Sequence, residues 1–394
     1  MNILFKINDF LLYLLIITVV FEQWDPFGFS GSQSITYFTS ILYILSSLPL
    51  LRYSKDFPRL IRYIFPLGIF VIVGIISTAF NSVYADTVLD LLKTRFFQLI
   101  ILAILVANHI LRSNSILWNT LYSYLTAVFL LYLMTLLGYG ISFEQERLLI
   151  FGENPNMVGT KGLMAFMITL GILYKGGLSI FRIILIGLSF VSSISLIVLS
   201  GSRGALLFLL VGIAILTLFS NIRTGKKIFL IIAGFVFSIF LVQYIFATNE
   251  VFKERIFNTI ERGETGRNDL WVAAFDIFLD NIVLGVGITP AASLGEMFRY
   301  QGTMHYPHNI FLWVLMSTGI VGFLFFIQFL LRLAKDLYKS YSNSRNVLFI
   351  ILFILNIFLL SKSGGAIRSM FGWLFFAILI GSTGLNDKVV KSKQ

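Results

Sequence analysis

An arginine flanked by small residues stands between two strongly apolar stretches of the chain. Arg203 lies in the sequence Ser200-Gly201-Ser202-Arg203-Gly204. Small residues let a ligand approach the backbone, and a helix starting near Gly204 would offer free N–H groups and the positive end of its dipole. A guanidinium adds paired donors for phosphate oxygens. The combination predicts phosphate binding; the alternative is an arginine that extends to the lipid headgroups.

Two of the three histidines precede a later apolar stretch. They are His305 and His308, in the sequence His305-Tyr306-Pro307-His308 before Asn309. An imidazole at the rim of a membrane cavity can accept a hydroxyl proton near neutral pH, so His308 is the candidate general base. The alternative is a helix-capping or interfacial histidine. Two histidines without cysteine or a convincing third ligand do not favour zinc.

Two further arginines lie beside turn-rich segments. Arg147 precedes Gly152-Glu153-Asn154-Pro155-Asn156 and is a candidate to face the same cavity from the opposite side. Arg267 precedes an amphipathic stretch and is a candidate for a helix start at that cavity. It could instead be solvated, or paired with Glu261, Glu264 or Asp269. The sequence assigns no role to the other outward basic residues, among them Lys161, Arg255, Arg262, Arg299, Lys362 and Arg368.

The composition places these residues on a membrane-embedded scaffold. Of 394 residues, 57% are hydrophobic and only 12% are charged, and the mean hydropathy is +0.89, far from the values of soluble domains. Several apolar runs reach the roughly 20 residues that a helix needs to cross the bilayer, which excludes a barrel of alternating strands. Cysteine is absent, which excludes thiolate chemistry and disulfides. The fold class is therefore predicted as an all-α polytopic membrane protein.

The hydropathy pattern predicts about twelve transmembrane helices and one large periplasmic loop. Residues 1–246 are expected to form transmembrane helices 1–9, and residues 309–394 to form helices 10–12 and a cytoplasmic tail. Residues 247–308 are expected to form the loop. It contains a predicted amphipathic helix over Asp269–Leu279, with Trp271, Ala274, Phe275 and Phe278 on its apolar side. The spans are expected near 8–21, 35–51, 62–80, 94–111, 116–137, 157–174, 181–199, 204–219, 228–246, 309–333, 346–361 and 366–381.

The basic residues predict the orientation. Eighteen of the thirty lysines and arginines fall into alternate short connections, so that side is assigned to the cytoplasm, together with both termini. The long loop then faces the periplasm. The acidic residues fall in loops or at the margins of the predicted spans, with Asp9 the nearest to an exception. Proton-driven carriers usually need carboxylates at mid-membrane depth, so this distribution argues against one.

The order and spacing of several short motifs resemble the O-antigen ligase and O-antigen polymerase family. The similarity runs from about Arg147 to Phe325, and the long loop occupies the position that it has in that family. The motifs are Asn154-Pro155-Asn156, Leu199-Ser200-Gly201-Ser202-Arg203-Gly204-Ala205, Arg267 with Trp271, Gly285-Val286-Gly287, His308-Asn309 and Gly319-Ile320-Val321-Gly322.

The resemblance implies an inverting, metal-independent glycosyltransferase without a cofactor. Its donor would be an undecaprenyl-diphosphate-linked oligosaccharide, bound through Arg203 and Arg267, with His308 nearest the chemistry. The acceptor would be a lipid-linked repeat unit for a polymerase, which is favoured as the more numerous group, or lipid A–core for a ligase. Membrane lipids and a chain-length regulator are the other expected partners, and nucleic acid is not expected.

A lipid-linked oligosaccharide flippase is the alternative of a different class. It would also place cations where a diphosphate passes. The long loop, the position of His308 and the absence of an internal repeat argue against it.

Overall fold

A computed structural model describes residues 2–28, 34–54, 57–80, 96–175, 179–248, 267–362 and 366–384, together with five residues between 248 and 267. Helices dominate these segments. The α-helices are α1 (Asn2–Val19), α2 (Ser34–Ser47), α3 (Phe57–Phe80), α4 (Phe96–Ile110), α5 (Asn114–Leu136), α6 (Pro155–Lys175), α7 (Ile180–Leu199), α8 (Arg203–Phe219), α9 (Thr224–Thr248), α10 (Asn268–Asp280), α11 (Pro290–Gln301), α12 (Ile310–Ser344), α13 (Leu348–Lys362) and α14 (Met370–Thr383). Two 3₁₀ turns, Leu48–Tyr53 and Ala366–Arg368, extend α2 and precede α14.

The polytopic helical architecture is confirmed, since a helix lies at the position of each expected span. Within the described residues, seven segments are long and apolar enough to cross a membrane: Ile35–Tyr53, Phe57–Phe80, Asn114–Leu136, Pro155–Lys175, Ile180–Leu199, Thr224–Ala247 and Ile310–Ser344. Four apolar helices are shorter, namely Phe97–Ile110, Arg203–Phe219, Leu348–Lys362 and Met370–Thr383. The number twelve and the periplasmic position of the loop stay predictions.

The core lies where the most apolar helices pack on all sides. Along α14 every residue from Met370 to Ser382 is buried, which matches a helix surrounded by others. Helix α9, by contrast, packs mainly against α8 and exposes most of its apolar side chains. In a membrane these exposed side chains would face lipid.

A short β-hairpin is the exception to the all-α prediction. Strands β1 (Ile141–Glu144) and β2 (Arg147–Ile150) pair in antiparallel register between α5 and α6. Both turn residues, Gln145 and Glu146, have positive φ angles of 49° and 60°, as a tight two-residue hairpin requires. The turn lacks the Asn-Gly signal that usually reveals such a hairpin in sequence. The hairpin fixes the position of Arg147, which is the first residue of β2.

The predicted amphipathic loop helix is present as α10, but its buried face differs from the predicted one. The prediction placed Trp271, Ala274, Phe275 and Phe278 on the apolar side, whereas Trp271 and Phe275 are exposed. The buried residues are Leu270, Ala273, Ala274 and Ile277. Small and aliphatic residues turn toward the bundle because α10 packs closely against α12.

Helix α12 is broken at Gly319, and the chain that follows α10 fills the break. Gly319 has φ 59° and ψ −166°, which interrupts the helical hydrogen-bond ladder. The N–H groups of Val286 and Gly287 donate to the carbonyls of Met316 and Ser317, at 3.0 and 2.8 Å. The orphaned carbonyls are therefore satisfied inside the protein, as non-helical backbone within a membrane bundle requires.

Backbone groups on the other side of the break are satisfied in the same way. The N–H of Ile320 donates to the carbonyl of Ile282 at 2.8 Å. A Cβ at Gly285 would lie 2.5 Å from the nitrogen of Thr318, and one at Gly319 would lie 2.4 Å from the carbonyl of Val283. The two glycine motifs of the sequence are therefore two sides of one close backbone contact.

Replacing Gly319 by alanine is expected to destabilise the protein strongly. The positive φ alone costs about 1–3 kcal/mol for a residue with a side chain, and the overlap with Val283 adds to it. The matched control is Gly187→Ala in α7, where the added methyl group meets no atom within 4 Å. Thermal unfolding in detergent should give a clearly lower Tm for Gly319→Ala alone. Equal Tm values for both variants would contradict the role of this contact.

Candidate functional site

Arg203 is the first residue of α8 and is half-buried. Ser202 caps the helix by accepting a hydrogen bond from the N–H of Ala205, at 3.3 Å. The preceding Gly201 has φ +55°, which lets the chain turn sharply from the end of α7 into α8. The sequence prediction of a helix start at this arginine is therefore correct. Arg203 therefore lies in the first helical turn, where backbone N–H groups have no partner within the helix.

Arg147 holds the turn that precedes Arg203. Its Nε donates to the carbonyl oxygen of Ser200 at 3.0 Å, and its Nη2 donates to Oδ1 of Asn156 at 2.9 Å. A Cβ at Gly201 would come within 3.1 Å of the Arg147 side chain, so the turn packs directly on it. The structure thus joins Arg147 to the Arg203 turn, through contacts that use part of its donor capacity.

Arg267 lies at the N-terminus of α10 and reaches the end of α13. Its Nη2 donates to the carbonyl oxygen of Lys362 at 3.4 Å. Within the described residues no carboxylate is among its hydrogen-bond partners. Burial first, and then the positive charge of Arg203, lowers the pKa of Arg267 below its ordinary value. The two arginines are therefore close enough for their charges to repel each other, and an anion between them would relieve that repulsion.

His308 stands in a strained turn immediately before α12. Its φ of 48° is uncommon for a residue with a side chain. The turn is held from both sides: Asn309 caps α12 by accepting hydrogen bonds from Phe311 and Leu312, and the carbonyl of Pro307 accepts one from the Trp271 indole at 2.9 Å. The strained conformation is fixed by its neighbours, which is the pattern found at functional turns.

The imidazole of His308 is oriented by the same carbonyl that contacts Arg267. Its Nδ1 lies 3.3 Å from the carbonyl oxygen of Lys362. Because a carbonyl only accepts, Nδ1 must carry the proton, and in the neutral ring the lone pair then resides on Nε2. Burial, followed by the charge of Arg267, lowers the pKa of His308. These effects favour a neutral imidazole, the form that can accept a proton.

Lys362 is the site residue that the sequence did not single out. Its carbonyl joins Arg267 to His308, and its ammonium group lies 5.8 Å from the centre of the Phe358 ring. A lysine at the end of a predicted outward-facing span was the available signal. The sequence pattern could not indicate the role of its backbone oxygen, because every residue type has one.

A fourth arginine, Arg368, lies near the turn that holds His308. Arg368 donates to the hydroxyl of Tyr306 at 3.3 Å and to the carbonyl of Ile288 at 3.2 Å. It therefore ties the turn before His308 to the segment that fills the break in α12. The other unassigned loop arginines differ: Arg299 is largely exposed beside Glu296, while Arg255 and Arg262 lie outside the described residues.

A buried ion pair corrects the expectation that Lys161 is an outward-facing cation. Lys161, expected as an outward cation, is fully buried in α6, where its Nζ lies 2.6 Å from both carboxylate oxygens of Glu153. It also donates to the carbonyl of Val20 at 2.8 Å. Close pairing with saturated hydrogen bonds makes this burial tolerable. The pair fixes the Asn154–Asn156 turn on which Arg147 rests.

A second buried carboxylate caps α14. Glu22 accepts hydrogen bonds from the hydroxyl of Ser369 at 2.8 Å and from the N–H of Met370 at 2.9 Å. It thereby satisfies free N–H groups of a buried helix start. In the part of the chain that the structure describes, no three side chains of histidine or acidic residues come together as a metal site.

Together these features define a polytopic helical membrane protein with a cation cluster. The cluster consists of Arg203 and Arg267 at the starts of α8 and α10 and Lys362 at the end of α13, and His308 lies beside it. The family model described as O-antigen ligase matches residues 188–327, a little over a third of the chain. This segment contains Arg203, Arg267 and His308, and the match confirms the family resemblance for the motifs from Leu199 to Gly322. Arg147 and Asn154-Pro155-Asn156 lie outside the matched residues. Neither the curated proteins nor the solved structures provide a match.

Proposed function

We propose that the protein is an inverting glycosyltransferase that transfers a glycan from undecaprenyl diphosphate to a sugar hydroxyl. The observation that carries the proposal is the convergence of Arg203, Arg267 and His308 at one end of the bundle, within the segment matched by the family model. The family match supports activity of the ligase or polymerase type. The nature of the donor, the inversion and the acceptor are our proposal.

The cation cluster suits a diphosphate leaving group. Arg203 and Arg267 influence each other electrostatically, and both lie near the charge of Lys362. A diphosphate would bring negative charge into this repulsive group and accept paired hydrogen bonds from two guanidinium forks. As the glycosidic C–O bond breaks, the electron pair moves to the departing phosphate. Fixed cations would stabilise the charge that develops there.

His308 is proposed to accept the proton of the acceptor hydroxyl. The hydroxyl oxygen attacks the anomeric carbon opposite the diphosphate, the new C–O bond forms as the old one breaks, and the configuration inverts. The proton passes to Nε2 of His308, because the hydrogen bond to the carbonyl of Lys362 keeps Nδ1 protonated. The imidazolium then releases the proton to water, and undecaprenyl diphosphate leaves.

The acceptor separates two forms of this function. A polymerase would use a second lipid-linked repeat unit, which is the form we favour on the frequency of polymerases in the family. A ligase would use lipid A–core, and the description of the matching family model supports that alternative. Both forms use the same donor and the same cationic cluster.

Reconstitution into liposomes tests the proposal and separates the alternatives. The purified protein would receive a synthetic undecaprenyl-diphosphate repeat unit alone, and then the same donor with lipid A–core. A ladder of products from the donor alone would support the polymerase. A product that requires lipid A–core would support the ligase. If neither mixture gives a product and the donor moves across the bilayer, the result would contradict glycan transfer and indicate a flippase.

The proposed location is the bacterial inner membrane, with the site facing the periplasm and both termini in the cytoplasm. Topology reporters fused at Lys227 and Arg345 are therefore expected to score cytoplasmic, and one at Glu264 periplasmic, since the basic connections should stay inside. A cytoplasmic score at Glu264 would place the cation cluster on the wrong side for a periplasmic reaction.

The pH dependence of turnover should report the lowered pKa of His308. A base works only when neutral, so turnover should stay level from neutral pH down past the usual histidine value of about 6.5 and fall at lower pH as the ring is protonated. Steady-state rates in proteoliposomes would measure the profile, and His308→Asn should lack this fall. A midpoint above 6.5 would contradict the assignment.

A further inference from the structure

A cavity lies at the end of the bundle opposite the cation cluster. It has a volume of about 410 Å³ and is lined where α6, α8, α12 and α14 end and where α5 and α13 begin. Arg203 starts α8 and Ser220 follows its last residue, so the two sites are about 25 Å apart along that helix. The cavity is therefore separate from the proposed site of glycan transfer.

Two cations lie on the wall of this cavity. Lys175, the last residue of α6, places its ammonium group 3.9 Å from the centre of the Trp118 ring. Arg345 follows α12 in a left-handed conformation, with φ 56°, which projects the chain away from the helix axis. Among the described residues neither side chain has a hydrogen-bond or ion-pair partner, and no lining residue is acidic.

Amide side chains add neutral donors around the two cations. Asn114, Asn221 and Asn346 all line the cavity. The Oδ1 of Asn346 accepts a hydrogen bond from the N–H of Leu348 at 3.1 Å, which leaves its NH₂ group as the outward donor. Oxygen-rich anions are the ligands that such a combination of charged and neutral donors recognises.

The remaining wall is apolar. It is formed by Trp118 with side chains such as Leu117, Leu216 and Phe349. A tryptophan with adjacent cations at the end of apolar helices is typical of the membrane–water interface. The volume exceeds what a single phosphate group needs, and it leaves room for carbon atoms attached to the phosphate.

We propose that this cavity binds the phosphate ester of an anionic membrane lipid. The phosphate would lie between Lys175 and Arg345, and the glycerol and the first acyl carbons would lie against Trp118. Basic pockets between transmembrane helices on the cytoplasmic side are suited to such headgroups. The four helix ends around the cavity carry partial negative charge, so the two cations are needed to give it a net attraction for anions.

Lipid titration of the purified full-length protein tests this proposal. In a neutral detergent, phosphatidylglycerol should raise the Tm, whereas phosphatidylcholine with the same acyl chains should not. The double variant Lys175→Gln/Arg345→Gln should lose about tenfold or more in apparent affinity for phosphatidylglycerol. The control is Lys335→Gln, which removes an exposed cation of α12 outside the cavity and should leave the affinity unchanged.

Three outcomes would overturn the proposal. If inorganic phosphate raises the Tm as much as phosphatidylglycerol does, the ligand is a free anion. An equal response to both lipids would show that the headgroup charge is not recognised. If the double variant keeps both its affinity for the lipid and its Tm in detergent, the two cations do not bind the lipid. They would then only offset the partial negative charge of the helix ends.

Discussion

Arg203→Ala and Arg267→Ala are each expected to reduce glycan transfer by about 10²–10³-fold or more, with the protein still folded. Removing one fixed donor to a developing oxyanion typically has an effect of this size, and a diphosphate carries more charge than a carbonyl oxygen. Arg203 stands at the start of α8 and Arg267 at the start of α10, so neither change removes packing from the core. Binding of the donor lipid should weaken in parallel, because the diphosphate is held before and during the reaction.

Lysine at either position should restore only part of the activity. An ammonium group keeps the charge but loses the planar fork that engages two phosphate oxygens. The matched control is Arg299→Ala, an arginine of the same loop that is largely exposed and lies 3.5 Å from Glu296. Radiolabelled donor in proteoliposomes would give both binding and turnover. Full activity in Arg203→Ala would leave that arginine as a residue that extends to the lipid headgroups.

The hydropathy pattern was sufficient for the scaffold because lipid constrains the backbone so strongly. Apolar runs must become helices, and each predicted span position holds one. The ends of helices that extend beyond the apolar region were less predictable. Helix α12 continues to Ser344, eleven residues past the predicted end at 333, because Leu333, Leu337 and Ser340 keep one face buried after the chain becomes charged. Amphipathic packing therefore lengthens the helix where hydropathy alone predicts an end.

The candidate site was predictable where side chains carry the chemistry and unpredictable where the backbone does. Arg203 and His308 stand out in sequence because charged or titratable groups beside apolar spans need a reason, whereas Arg267 is singled out by the order of the family motifs. The carbonyl of Lys362 joins two of them, and any residue type has a carbonyl. The break at Gly319 likewise depends on a segment more than thirty residues earlier in the chain, whose hydrogen bonds follow no local pattern.

Arg147 makes an interaction that the sequence did not predict. The sequence placed it opposite Arg203 across a cavity as a substrate-binding residue, and the structure does bring the two segments together. Its guanidinium donates to Ser200 and Asn156, so we propose that it contributes to donor binding by holding the Arg203 turn. The hairpin that carries it was not predicted, because the turn Gln145-Glu146 relies on strained backbone angles instead of favoured turn residues.

His308 is the residue whose replacement should separate chemistry from binding. Loss of a general base typically lowers the rate by 10²–10⁴-fold, so His308→Ala should lose most turnover. The donor lipid should still bind, since Arg203 and Arg267 remain. His305→Ala should be much milder, because His305 is exposed and its described hydrogen bond, to the carbonyl of Thr303, uses only its backbone N–H.

His308→Asn tests whether the loss comes from the missing base or from the altered turn. Asparagine tolerates the left-handed backbone that His308 adopts, and its amide can still donate to the carbonyl of Lys362, but it cannot accept a proton at neutral pH. If His308 is the base, Asn and Ala should fall equally in turnover, with donor binding and Tm preserved in Asn. If Asn restores turnover, His308 acts only by shaping the turn. If both variants fail mainly in donor binding, a loop carboxylate or the departing diphosphate becomes the better candidate for the base, because His308 would then belong with the two arginines.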